Sequence, residues 1–79
     1  MKRLFLIDDI RKPIMSGYIE MSGDSYISVA KSYAQMEYGK NVRRADASDQ
    51  TPPFCLIELG VRDDGRKYYK GNKLWYQFN

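Results

Sequence analysis

The sequence predicts an α+β fold: one helix packed on an antiparallel sheet of four to six strands, in ββα-βββ order. Three observations predict it. Residues 24–39 carry apolar side chains at helical spacing between a capping residue and a glycine. Short apolar runs before and after that stretch end in clusters of Gly, Pro, Asp or Asn, at strand lengths. Near the end, "DDG" and "GN" separate three such runs by loops so short that they read as antiparallel hairpins.

Taken in order, "RLFLID", residues 3–8, is a first strand with Phe5 and Ile7 on one face and Leu4 and Leu6 on the other. Apolar residues on both faces place it inside the sheet. "DIRKPIMSG" is a turn region, and Pro13 keeps residues 12 and 13 out of any central strand. "GYIEM", residues 17–21, is the second strand, broken by "SGDS". Asp24 or Ser25 then caps a helix, its side-chain oxygen accepting a free N–H of the first turn. Tyr26, Val29, Ala30, Tyr33 and Ala34 share one helical face, flanked by Ile27 and Tyr38, with Ser28, Lys31, Ser32 and Gln35 opposite. Ala30 and Ala34 let the helix lie close on the sheet. Gly39 supplies the left-handed stop, and Lys40 suits the negative end of the helix dipole. "NVRRADAS", residues 41–48, reads as a short or irregular strand with a polar face, and "DQTPP" as a loop.

The end of the chain carries the most information. "FCLIELGVR" is a strand, and "DDG" fits a type I turn with Gly65 in the left-handed position, pairing Leu59 with Tyr69 and Val61 with Lys67. "GN" reads as a two-residue hairpin turn, pairing Tyr69 with Leu74 and Tyr68 with Trp75. Directly paired residues share a face. Cys55, Ile57, Leu59, Val61, Lys67, Tyr69, Leu74, Tyr76 and Phe78 then form the expected core face. Leu56, Glu58, Gly60, Arg62, Arg66, Tyr68, Lys70, Lys73, Trp75 and Gln77 form an outer face, polar and basic with two aromatics.

That outer strip has three readings. Basic residues interleaved with aromatics hold single-stranded nucleic acid in several modules, bases stacking on rings and phosphates meeting cations. Trp, Tyr and Arg are equally the usual anchors of protein interfaces. The third reading is a solvated face on which Tyr68 and Trp75 form a stabilising cross-strand pair. The candidate partner-binding residues are therefore Arg62, Arg66, Tyr68, Lys70, Lys73 and Trp75. A second basic cluster after the helix, Lys40 with Arg43 and Arg44, either extends that surface or is a solvated helix exit.

The totals bound the function. Seventy-nine residues make one domain, 1–79, with a modest core. The absence of histidine removes the usual zinc sites, the Ser-His and Cys-His nucleophile pairs and the commonest general base. The adjacent carboxylates Asp8–Asp9 and Asp63–Asp64 are the remaining candidates for acid–base work, and adjacent aspartates in turns are ordinarily solvent-facing turn residues. No catalytic or cofactor signature is found, so the expectation is no enzyme, no cofactor and no metal. The single Cys55 forms no internal disulfide and is expected buried. No apolar run is long enough for a membrane span or a signal peptide, so a cytoplasmic protein without a membrane partner is expected. A net charge of +3 permits an acidic partner, protein or nucleic acid, and selects neither. Oligomeric state is open.

The opening "LFLIDDIRK", a second strand, the helix "VAKSYAQMEYG" and a following antiparallel sheet resemble small phage-encoded anti-CRISPR proteins, in particular type I inhibitors. The resemblance covers the first half of the chain in two short motifs. It implies a non-enzymatic inhibitor that binds a bacterial CRISPR effector complex, or another host assembly, and blocks target-DNA binding or nuclease recruitment. Many such inhibitors are acidic DNA mimics, whereas this chain is basic, which argues against mimicry by the whole surface. The alternative is a small single-stranded nucleic-acid-binding module using the basic and aromatic sheet face.

Overall fold

The computed structural model describes residues 2–79 and has seven elements: β1 (Arg3–Asp9), β2 (Tyr18–Gly23), α1 (Tyr26–Tyr38), β3 (Val42–Arg44), β4 (Phe54–Val61), β5 (Lys67–Tyr69) and β6 (Leu74–Phe78). One antiparallel six-stranded sheet runs in the order β2-β1-β4-β6-β3, with β5 also paired to β4. The single helix connects β2, at one edge, to β3, at the other, and packs across one face.

The helix forms where the spacing and caps predict. Ser25 is its cap: its side chain accepts from the Ser28 N–H while the Ser28 hydroxyl accepts from the Ser25 N–H, a reciprocal capping box. Gly39 ends it in the left-handed region at φ 63°, and the N–H groups of Gly39 and Lys40 return to Gln35 and Ala34. Val29, Ala30, Tyr33 and Ala34 are buried against the sheet. Beneath them lie Phe5 and Ile7 of β1, Phe54 and Leu56 of β4, Tyr76 of β6 and Val42 of β3. The rings meet edge-on, Tyr33 with Phe54 at 5.0 Å and Phe5 with Tyr26 at 4.7 Å between centroids, while Phe54 stacks on Tyr76.

The β4–β5 hairpin has the expected register, Leu59 opposite Tyr69 and Val61 opposite Lys67, with Gly65 at φ 87°. The second hairpin is a correction. β6 does not pair with β5; it runs antiparallel to β4, Leu56 opposite Leu74 and Phe54 opposite Tyr76. Residues 70–73 form a bulge between two segments lying along the same edge of β4. The cause is Tyr26. Its hydroxyl accepts the Glu58 N–H at 3.1 Å and donates to the Asn72 carbonyl at 2.9 Å, occupying the place of a ladder bond. The Lys70 and Gly71 N–H groups turn inward to the Glu58 carbonyl. Gly71 is required there, because a Cβ would sit 2.3 Å from the Tyr26 oxygen.

This corrects the expected faces. The helix covers Phe54, Leu56 and Glu58 together with Leu74, Tyr76 and Phe78. Cys55, Ile57, Leu59, Val61, Lys67 and Tyr69 lie on the opposite face. Both sets of β4 residues are rich in apolar side chains, so alternation alone did not identify the helix side. A further correction concerns Asp9, expected in a solvent-facing turn but only 2% exposed. Its carboxylate accepts from the Tyr33 and Tyr38 hydroxyls and from the Arg11 N–H.

Candidate functional site

The sheet face opposite the helix carries no second layer among the described residues. Leu4 and Leu6 of β1 and Ile57 of β4 are half-buried there, and Leu59 and Cys55 are buried between them. Toward the β4–β5 turn the same face exposes Val61 at 56% and Tyr69 at 70%. Tyr18 of β2, half exposed, adds a ring at the far side, and Trp75 of β6, half-buried, lies beside Cys55. The strand alternation that buries one apolar set under the helix leaves this second set facing outward.

Charges on this face are arranged around the apolar strip and are mostly paired. The Lys67 ammonium donates to both Glu20 carboxylate oxygens at 2.7 and 2.9 Å, joining β5 to β2 across a groove lined by Leu6, Leu59 and Tyr69. Sheet twist brings these distant strands within reach. Arg43 makes a bidentate pair with Asp49, at 2.8 and 2.9 Å. That guanidinium and the Asp46 N–H hold the Asp49 carboxyl down at about 2. Lys73 is exposed at the bulge. Burial pushes the Cys55 thiol up to about 11, so it is a protonated packing residue rather than a nucleophile.

The predicted contact residues do not converge. The register places Trp75 with Cys55 on the open face, whereas Tyr68 pairs with Gly60 on the helix side. Tyr68 and Trp75 are therefore not a cross-strand pair. Tyr68 lies over Gly60, where a Cβ would meet its ring, and the Arg62 guanidinium approaches the same ring at 5.7 Å. Arg66 projects from the hairpin end, its side chain 81% exposed. Lys70 reaches toward Glu58, 4.0 Å away. Arg43 and Arg44 are neighbours on an edge strand and point to opposite faces, so with Lys40 they do not form one patch. The Lys40 ammonium instead lies 4.9 Å from the Phe78 ring.

Sequence reasoning missed two polar clusters. One is Arg3 with Glu58: the guanidinium clasps both carboxylate oxygens, at 2.9 and 2.8 Å, and holds the Glu58 carboxyl below its ordinary range. The other is Asp9 with Tyr33 and Tyr38. Burial, then the hydrogen bond to Asp9, pushes the Tyr38 phenol up to about 12 and raises Tyr33 as well. Tyr33 and Tyr38 are five apart, off the spacing of three or four that shares a helical face, and Asp9 read as a turn residue, so the sequence carried no clear signal for this cluster. Both clusters are closed, every buried side-chain polar atom described having a partner, and they read as supports of the fold. No group of His, Cys, Asp or Glu suited to a metal ion occurs among the described residues, and no described helix is long and apolar enough to cross a membrane. No protein-family model, curated protein or solved structure matches this chain.

Proposed function

We propose that this protein is a non-enzymatic binding module that docks the open face of its sheet on another protein. The kind of partner follows from the resemblance of its first half to phage-encoded inhibitors: a bacterial CRISPR effector complex, blocked in target-DNA binding or nuclease recruitment. The observation that carries the reading is the open face itself. Val61, Tyr69, Tyr18 and Trp75 surround an aliphatic floor of Leu4, Leu6, Ile57 and Leu59, which is the composition of an interface core. Around it Lys67 and Arg43 are already neutralised by Glu20 and Asp49. Paired rim charges suit recognition of a protein surface and leave few free cations for phosphates. Single-strand binding, the alternative, relied on one continuous basic and aromatic strip, and the division of Tyr68 from Trp75 between two faces weakens it.

The test is direct. A purified type I effector complex is mixed with the protein after nuclease treatment, and association and target-DNA binding are measured with the native chain and with a Val61→Thr, Tyr69→Ser double variant. Expected is a stoichiometric complex that reduces DNA binding, weakened at least about tenfold by the double variant, because truncating desolvated interface anchors costs more than 1.4 kcal/mol. Tight oligonucleotide binding that falls steeply with salt, with no retained protein, would reject this reading in favour of the alternative.

A further inference from the structure

The outer edge of β2 is unpaired. β1 occupies only its inner side, and the ladder identifies which backbone groups remain. The Asp9 N–H donates to the Gly17 carbonyl, so Gly17, Ile19, Met21 and Gly23 turn their N–H and C=O groups to β1. Tyr18, Glu20 and Ser22 turn theirs outward, a row of free donors and acceptors. Of the devices that ordinarily guard such an edge, "YIEMSG" has one charge, Glu20, and no proline, no lysine and no bulge in its register with β1. The loop feeding this strand is also unusual. Ile14 is 84% and Met15 78% exposed, and Met15 holds φ at 80°, a left-handed conformation disfavoured for a side chain of its size. Tyr18 and Ile19, which follow them at the start of β2, are also exposed, at 50% and 37%.

We propose that this edge adds one extended strand of a partner protein, antiparallel to β2, with a basic residue opposite Glu20 and apolar residues beyond it that meet Tyr18 and Met15. Backbone pairing supplies attraction, and side chains at alternate positions supply selectivity. A second copy of the chain is the wrong occupant. The symmetric register that pairs all three outward residues places Tyr18 against Ser22 and Glu20 directly against Glu20, and like charges directly opposed are destabilising. The same carboxylate favours a cation: Lys67 donates to both of its oxygens, but that pair is solvent-exposed, so a second cation beside Glu20 can share or replace it. An antiparallel strand running past Tyr18 continues toward Ile14 and Met15, which accounts for the apolar requirement at its later positions. This edge shares the Tyr18 and Glu20 side chains with the open face but is read through the outward backbone of β2, so its test stands whether or not that reading holds.

The probe is an acetylated, amidated peptide, Thr-Thr-Val-Lys-Val-Leu-Val, compared with its counterpart carrying glutamate at the central position, each at millimolar concentration with isotope-labelled protein. Amide hydrogen exchange at Tyr18, Glu20 and Ser22 is the readout. The lysine peptide is expected to slow those three amides about tenfold, and the glutamate peptide to have little effect. Glu20→Lys is expected to reverse the preference. Glu20→Pro, which removes an outward N–H and no bond to β1, is expected to abolish slowing by both. No slowing with the lysine peptide would overturn the proposal, as would equal slowing by the two peptides in native and Glu20→Lys protein. Protection of the same amides in free protein, rising with its concentration, would assign the edge to a second copy and overturn it equally.

Discussion

The two faces of the sheet are built from the same strands and nearly the same residue types, yet they end differently. Under the helix, Phe5, Ile7, Phe54, Leu56 and Tyr76 are fully enclosed and their rings interlock. On the other side, Leu4, Leu6, Ile57, Val61 and Tyr69 remain in partial contact with water. Helix residues are the difference: a short chain with one thirteen-residue helix has enough material to cover one face. Apolar side chains on the second face therefore contribute less to folding than their composition suggests, and their arrangement is available for contact with something else.

Mutations on the two faces test this asymmetry. Phe54→Ala, which removes a ring packed on both Tyr33 and Tyr76, is expected to cost about 3–5 kcal/mol in chemical denaturation. Tyr26→Phe keeps the packing against Phe5 and removes only the hydroxyl that joins Glu58 to Asn72. It is expected to cost about 1–3 kcal/mol, because two backbone groups lose their partner. A cost near zero would show that the bulge closes into an ordinary ladder once the hydroxyl is gone.

Acid titration reads one arginine-paired carboxylate on each face. Glu58 on the helix side and Asp49 on the open side both have pKa values depressed by an arginine, Arg3 and Arg43. A depressed carboxyl contributes stability fully above its unfolded value, about 4, and loses it as pH falls through the folded value. The melting temperature is expected to be level above about pH 5 and to fall below it. Glu58→Gln and Asp49→Asn are each expected to lower the plateau and flatten the acid limb. The smallest effect is expected on the open face: Tyr69→Ser should change stability by no more than about 0.5 kcal/mol. A loss as large as that of Phe54→Ala would mean that Tyr69 is a folding residue and that the faces are equivalent.

What could be read in advance divides along the range of the interactions involved. The helix, with Ser25 and Gly39 at its ends, and the Arg62–Arg66 turn around Gly65 are local, and local chemistry predicts them. The bulge is not local. "GN" is a good hairpin turn taken alone, and it is overridden by a hydroxyl on Tyr26, 46 residues from Asn72. The face assignment failed with it, because Cys55, Ile57 and Leu59 compete with Phe54 and Leu56 for the core on composition alone. Of the candidate contact residues, Trp75 and Lys73 belong with the open face, Tyr68 lies on the helix side with Arg62 beside its ring, Lys70 reaches toward Glu58, and Arg66 projects from the hairpin end. The exposed Val61 and Tyr69 had been assigned to the core.

The position of β6 has a consequence for how the molecule assembles. β3 has one strand neighbour, β6, which lies between it and β4. The partner of Val42–Arg44 at the far edge is residues 76–78, more than thirty positions further along the chain. β6 pairs with β4 on one side and with β3 on the other, so completing this half of the sheet joins segments far apart in the chain, at the loop-closure cost of that separation. The Tyr26 hydroxyl ties the first turn of the helix to the same event, since it bonds the bulge that leads into β6. The start of the helix and the segment leading into the final strand, far apart in the chain, are therefore linked directly through one hydroxyl.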